Sequence, residues 1–190
     1  MCIKYNYKQF YGDYHIMNLF RQNGYLRNIA VNYATKYALK PNNSYRYFPL
    51  INDRSGDCAN FISQCLKAGG APMNYSSKNP WWYKHNSTNV KNDTWSISWT
   101  VAHSLYWYLK INQESKLYGA KGLEVRDVSQ LQLGDIIFFE DNKGAIFHSA
   151  IVTSFLYNEP LISHHSFEAL NIPYQASWPA SKLHFLKISI

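Results

Sequence analysis

One stretch of this 190-residue chain constrains its fold more than any other: Gly56-Asp57-Cys58-Ala59-Asn60-Phe61-Ile62-Ser63-Gln64-Cys65-Leu66-Lys67-Ala68-Gly69-Gly70. It reads as a loop, a cap, a short buried helix and a stop. Asp57 suits an N-cap, where a carboxylate accepts from the free N–H groups of the first turn. Phe61, Ile62, Cys65 and Leu66 recur at helical spacing as one apolar stripe. Gly69-Gly70 supplies the left-handed residue that commonly ends a helix. Cys58 therefore falls in the first turn, where the positive end of the helix dipole favours an anion. A thiolate is the nucleophilic form of cysteine, and a helix N-terminus can lower a thiol pKa to roughly 3.5–7.5. Cys65, about two turns on, meets the opposite end of the dipole and reads as a small core hydrophobe. By helix position alone, a catalytic Cys58 and a buried structural Cys58 stand as even alternatives. A base elsewhere in the chain must decide between them.

The length fits one domain with an extension: residues 1–24 as an N-terminal segment without clean periodicity, and residues 25–190 as the domain. The apolar fraction of 46% supports a real core. Aromatic residues reach 17%, with 16 Tyr and 6 Trp, a surplus that suits either a binding groove or a tyrosine-heavy core. The formal net charge of +7 favours polyanions. The Lys and Arg residues are scattered and no nucleic-acid motif is present, so nucleic acid is not the expected partner. Three cysteines, at Cys2, Cys58 and Cys65, do not form a disulfide framework. No ligand set has zinc spacing, so neither metal nor cofactor is expected. No apolar run approaches the ~18 residues of a membrane span. Met1-Cys2-Ile3-Lys4-Tyr5-Asn6-Tyr7-Lys8 lacks the apolar core of a signal peptide. The polyanions that a basic surface favours include anionic lipid and acidic cell-wall polymers, and action at a cell wall would need release, export by another route, or a signal absent from this chain. A monomer is expected.

Along the chain, Leu26, Ile29, Ala30, Tyr33 and Tyr37 predict an amphipathic helix that stops at Pro41-Asn42-Asn43. A long polar and aromatic region follows Gly70 and carries Trp81-Trp82-Tyr83. This run reads either as the lining of a substrate groove or as a plug that anchors the loop, with the groove slightly preferred. Ser98 is expected to cap a second amphipathic helix through Trp99, Ala102, Leu105, Tyr106 and Leu109; His103 on it stays unassigned. From residue 123 the pattern turns to strands. Leu133 to Phe139 is a turn into a buried strand, Asp141-Asn142-Lys143-Gly144 a hairpin turn, and Ile146 to Phe155 its partner. Leu161 to Ser166 is a third strand, and Leu183 to Ile190 closes the sheet. Helices first and an antiparallel meander afterwards give an α+β fold.

A Cys at a helix N-terminus, then a His on a strand, then a polar residue on the next strand is the order of a papain-like nucleophile system. The His takes the thiol proton and later protonates the leaving group, while a third group holds the imidazole in its tautomer. Neighbouring antiparallel strands place such side chains within reach of one another.

The block from Gly56 to Gly70 resembles the hallmark of the bacterial putative amidase domain family, related to the CHAP and other cell-wall peptidases of papain-like fold. Ile29-Ala30-Val31-Asn32-Tyr33-Ala34-Thr35-Lys36-Tyr37-Ala38, Trp81-Trp82-Tyr83, Leu133-Gly134-Asp135-Ile136-Ile137-Phe138 and His148-Ser149-Ala150-Ile151-Val152-Thr153 resemble further blocks of that family in the same order. The resemblance implies a papain-like fold, with N-terminal helices packed on a C-terminal antiparallel sheet or half-barrel. It implies Cys58 as nucleophile, His148 as base and His165, just before Ser166, as the orienting residue, with the adjacent His164 turned to the other face. Trp81, Trp82 and Tyr83 are the expected substrate contacts. The Cys58 backbone N–H is the expected oxyanion donor, with Tyr45, Tyr47 and Asn52 as open candidates for a second. Ser63 and Gln64 are expected to tie the helix to its neighbours. The expected activity is cleavage of amide bonds in peptidoglycan or a related peptide by a Cys-His-His triad. The alternatives are a cell-wall or peptide binding module on the same fold and an acyltransferase using the same residues.

Overall fold

The structure, a computed structural model, describes residues 24–51 and 56–190. The segment 1–23, with Cys2 and most of the expected N-terminal extension, lies outside the described residues, and so does Asn52.

Helix α1 (Arg27–Tyr37) is followed by α2 (Cys58–Ala68), the helix of the cysteine block. Residues 58–66 of α2 are all buried, so this helix runs through the interior and does not lie on it with one apolar stripe. A helix buried on every side must find partners for its polar side chains. Asn60 donates to the Arg46 carbonyl and to Asp57 Oδ1, both at 2.9 Å, and accepts from Trp99 Nε1 at 2.8 Å. The Ser63 hydroxyl donates to the Trp99 carbonyl and accepts from Trp81 Nε1. Gln64 accepts from the Tyr33 hydroxyl at 2.7 Å. Ser63 and Gln64 thus bind α2 to its neighbours.

The predicted first helix forms, but on a different face. Leu26 and Ile29 are about half exposed, whereas Ala30, Ala34 and Ala38 are fully buried. Residues four apart share a helix face, and three small side chains let α1 approach α2 closely. At the far end of α2 the two glycines do different work. Gly70 takes the left-handed conformation with φ +96°. Gly69 does not, with φ −72°, but a Cβ there would stand 2.4 Å from the ring of Tyr25.

The second predicted helix is broken. A turn α3 (Ile97–Thr100) ends at Val101, whose backbone is extended, and α4 (Ala102–Glu114) starts after it. Ser98 lies inside α3 and caps neither helix; its hydroxyl contacts the Pro80 carbonyl and Ser96. Between α2 and α3 the strands β1 (Tyr83–Lys84) and β2 (Thr94–Trp95) form a small ribbon.

The C-terminal half is one six-stranded antiparallel sheet made of β3 (Lys121–Val125), β4 (Ile136–Glu140), β5 (Ile146–Leu156), β6 (Glu159–His164), β7 (Ala169–Pro173) and β8 (Lys182–Ser189). Their spatial order is β3-β8-β4-β5-β6-β7. The predicted α+β architecture is borne out. β8 does not close an edge, however; it lies between β3 and β4. One sheet face carries Ile136, Phe138, Ile151, Leu186 and Ile188 into the core shared with the helices. The other carries Ile137, Phe139, Ala150, Val152 and Ile162 into a smaller cluster. This alternation follows from the period of two along each strand. Asp135 fixes α1 to the sheet: it accepts from Arg27 Nη1 at 2.6 Å and from the Gln132 and Ile188 amides at 2.8 Å. Among the described residues no helix is long and apolar enough to cross a membrane.

Candidate active site

Asp57 occupies the N-cap position of α2 but makes no capping hydrogen bond. Its carboxylate is engaged sideways and holds three segments together. Oδ1 accepts from the Phe48 amide and from Asn60, both at 2.9 Å. Oδ2 lies 2.5 Å from His165 Nδ1. The turn ahead of it depends on Gly56, which has φ +124° and on which a Cβ would sit 2.4 Å from Ser166 Oγ. That same hydroxyl accepts from the Asp57 amide at 2.8 Å. The cysteine is thereby presented at the helix start by contacts with the end of β6.

Cys58 and His148 line one cavity of about 400 Å³. No hydrogen bond joins them, and such bonds in unliganded sites often tighten only around substrate. The strand register explains the spacing. Ser149 stands opposite Phe138, on the helix-facing side of the sheet, and His148 opposite Phe139, on the other side. A bulge at this point leaves Phe147 without a partner residue on β4, and bulges re-aim the side chains beside them. Ser149 is thus the β5 residue beside the thiol, a neighbour that the sequence reading overlooked although it follows His148 directly. Its hydroxyl is buried without a hydrogen bond of ordinary geometry, yet it stands close enough to favour thiol ionisation.

The thiol is nevertheless not poised as the helix dipole alone implied. Burial pushes the Cys58 thiol up from its ordinary value, Ser149 and the Ala59 amide pull against this, and the Asp57 charge adds to the rise. Desolvation of the anion outweighs the half-charge of the helix end because Cys58 is only 6% exposed. Burial raises the Cys65 thiol further, well above 9.0. His148 moves the other way: burial, then the neighbouring His164, holds its imidazolium well below 6.5. The resting pair is a neutral thiol beside a neutral imidazole.

The two adjacent histidines exchange the places expected of them. His164 packs edge-on against His148, with ring centroids 4.6 Å apart and planes at 88°. His165 does not face His148. Its Nδ1 meets Asp57, its Nε2 donates to the Tyr37 carbonyl at 2.9 Å, and its ring stacks on Phe61 at 4.1 Å. Alternation is the cause: Ile162 and His164 share the face that carries Val152, Ala150 and His148, and His165 takes the opposite one. The chain then turns sharply through Ser166 and Phe167, with φ 65° and 71°. His164 in turn places Nδ1 3.2 Å from the His165 carbonyl and Nε2 3.0 Å from the Ser177 hydroxyl. His148 Nε2 is buried and has no hydrogen-bond partner.

Trp81, Trp82 and Tyr83 do not line this cavity. Trp81 is fully buried, packed between Trp99 and Tyr108 at 4.9 and 5.7 Å. Tyr83 donates to Asp93 at 2.8 Å and is buried as well. Trp82 is half-buried and stacks on Tyr75. The run is the plug that fixes the long loop to α2 and α4. The aromatic side chains at the cavity are Phe48, Phe147 and Trp178. Of the candidates for a second oxyanion donor, Tyr47 donates to Glu168 at 2.7 Å, and Tyr45 is packed among Tyr83, His85 and Trp99. The first intrahelical bond runs from the Phe61 amide to the Asp57 carbonyl, so the Cys58 amide lies ahead of the helical ladder. Among the described residues no group of three or more His, Cys, Asp or Glu side chains is arranged to hold a metal ion.

Two proteins of Bacillus subtilis (strain 168) are similar to this chain. Uncharacterized protein YhbB is 38% identical over 128 residues, which is 66% of this chain and 36% of that protein. Uncharacterized protein YjcM is 33% identical over 159 residues, 79% of this chain and 33% of that protein. The chain thus spans about a third of the length of the curated relatives it matches. No solved structure matches it significantly. A family model described as the putative amidase domain matches residues 24–187, a span that holds the cysteine helix, the cavity and the large sheet up to the last two residues of β8, and the chain belongs to that family.

Proposed function

We propose that this domain is a cysteine-dependent amidase of papain-like mechanism that cleaves a peptide amide, with peptidoglycan stem peptides as the natural class to test. The observation that carries the reading is the meeting of Cys58 and His148 at one cavity, with the His148 ring buried and its Nε2 unpaired. A neutral imidazole is the form that can accept the thiol proton. As His148 takes that proton, Cys58 Sγ bonds to the substrate carbonyl carbon, and the oxyanion lies near the Cys58 amide at the start of α2. The tetrahedral centre collapses to a thioester as the C–N bond breaks, and the amine leaves with the proton from His148. Water, losing a proton to His148, then attacks the thioester, and the acid departs as the thiol is restored. His164, whose ring packs on His148, takes the orienting role in place of His165. His165 acts through Asp57, which it holds against the turn that presents Cys58. The basic charge of the chain suits an anionic polymer at long range.

The test is incubation with defined peptidoglycan fragments and mass spectrometry of the products. Two fragments that together exceed the substrate by one water are expected, and Cys58→Ala should abolish them. Products joined to an added amine would mark transfer, and binding without products a binding module. Iodoacetamide should label Cys58 before Cys65, because Cys65 is fully buried and its thiol is raised further. The rate should climb with pH towards and beyond the ordinary thiol value of 9.0. Preferential labelling of Cys65, or cleavage by Cys58→Ala, overturns the assignment.

A further inference from the structure

The described wall of the cavity that holds Cys58 is mostly apolar. Its polar side chains are the thiol, the His148 ring, the Thr100 hydroxyl and the Ser166 hydroxyl, which is already bonded to the Asp57 amide. The rest of its wall comes from separate segments that each contribute an apolar side chain. Phe48 and Leu50 come from the loop before α2, and Val101 from the extended break between α3 and α4. Ile146 and Phe147 come from the start of β5, and Trp178 from the loop before β8. Among the described residues, none that lines the cavity is Lys, Arg, Asp or Glu, although the chain carries a formal net charge of +7. The charge of the surface does not extend to the described wall beside the nucleophile. A charged substrate group placed against that wall would lose its hydration and meet no counter-charge from it, whereas an apolar group gains by burial. The volume of about 400 Å³ is at the scale of ligand pockets and holds one large side chain with room for the scissile amide.

We infer that the residue donating the scissile carbonyl carries an uncharged, apolar side chain, seated between Phe147, Val101 and Trp178. The selectivity lies in this wall and the basic surface contributes no preference at this position. Trp178 fits the role because it is held in place on its own side, with Phe147, His148 and Phe167 at centroid distances of 6.2, 5.6 and 5.2 Å. The inference rests on Cys58 being the amidase nucleophile and adds to it the class of acyl group.

Acetyl-amino-acid chloromethyl ketones of Leu, Phe, Glu and Lys test it on the full chain. In each, the thiolate displaces chloride and a thioether forms, read by intact mass and mapped to Cys58; iodoacetamide run in parallel reports the nucleophile itself. The Leu or Phe ketone should label Cys58 about ten-fold faster than the Glu and Lys ketones, the scale at which apolar pockets discriminate. Val101, 44% exposed at the rim, tolerates a longer side chain, and Val101→Arg should narrow or reverse the gap between Leu and Glu. If iodoacetamide labels Cys58 while the Glu or Lys ketone reacts fastest, or while no ketone reacts, the acyl-group inference falls and the nucleophile stands. The same holds if Val101→Arg leaves the Leu-to-Glu ratio unchanged. If iodoacetamide leaves Cys58 unmodified, both fall.

Discussion

At the scale of single residues, the adjacent pair His164 and His165 shows how position on a strand assigns chemistry. One ring packs on His148 and the other is bonded to Asp57. Their substitutions should therefore fail in different ways. His164→Ala removes the group against His148 and should lower kcat by roughly ten-fold or more, a smaller loss than the ~10²–10⁴ associated with removal of a base. Because His164 also contributes to holding the His148 imidazolium down, the acid limb of the pH–rate profile should move to higher pH in this variant. His165→Asn should spare that limb and instead lower stability, since it takes the imidazole partner from the buried Asp57 Oδ2 and removes the stack on Phe61. Thermal melts and pH–rate profiles of the two variants separate these outcomes. A shifted acid limb in His165→Asn with none in His164→Ala would reverse the roles.

At the scale of elements, α2 is central because its polar face is as fully engaged as its apolar one. The tryptophan plug is part of that arrangement: Trp81 joins Ser63 on α2 and packs on Tyr108 of α4. Removing its ring would leave a cavity and take from the buried Ser63 hydroxyl the N–H that it accepts from, so Trp81→Ala should destabilise the domain by about 3–5 kcal/mol. Trp81→Phe keeps most of the volume and should cost less. Denaturant unfolding of both variants checks the order. A groove residue would instead leave stability nearly unchanged and alter substrate affinity. Sequence pattern could not separate groove from plug, because both need large amphipathic rings in a loop. The decision came from Trp99 and Tyr108, which the break at Val101 and the course of α4 bring to the same place.

For the whole molecule, the buried titratable groups define a pH window of stability. His148 and His164 are both held below 6.5 by burial first. Such groups bind fewer protons folded than unfolded, so their contribution is present above 6.5 and is lost as the pH falls through their folded values. Burial alone would raise Glu124, but the Lys110 ammonium and the His184 ring hold it at about 2, below its ordinary 4.5. Its contribution is present above 4.5 and is lost only as the pH approaches 2. Asp135, raised by burial, runs in the opposite sense. Cys58 and Cys65, also raised, favour the fold while protonated and cease to do so as the pH rises past 9.0. The melting temperature should therefore be highest between about pH 6.5 and 9. It should fall below that range, and the fall between pH 6.5 and 5 should be shallower in His148→Asn. A melting temperature that rises on acidification from pH 7 to 5 would contradict this assignment of buried neutral histidines.

The sequence by itself determined the elements that local periodicity and turn chemistry encode. These include the cysteine helix with its glycine stop, the β4–β5 hairpin around Asp141 and Gly144, and the order of helices before an antiparallel sheet. They also include the family to which the chain belongs, because the block around Cys58 is specific in residue type and spacing. Tertiary structure decided what depends on contacts between distant segments. Burial overrode the helix dipole at Cys58, since removing an anion from water outweighs half a charge at a helix end. Register set which of His164 and His165 packs on His148, since a shift of one residue along a strand reverses the face of every side chain. The register of β5 set Ser149 on the helix-facing side of the sheet, and the packing of α2 against the sheet brought Cys58 and His148 to one cavity. The apolar wall of that cavity is drawn from loops and strand ends far apart in the chain, and no local pattern records their meeting.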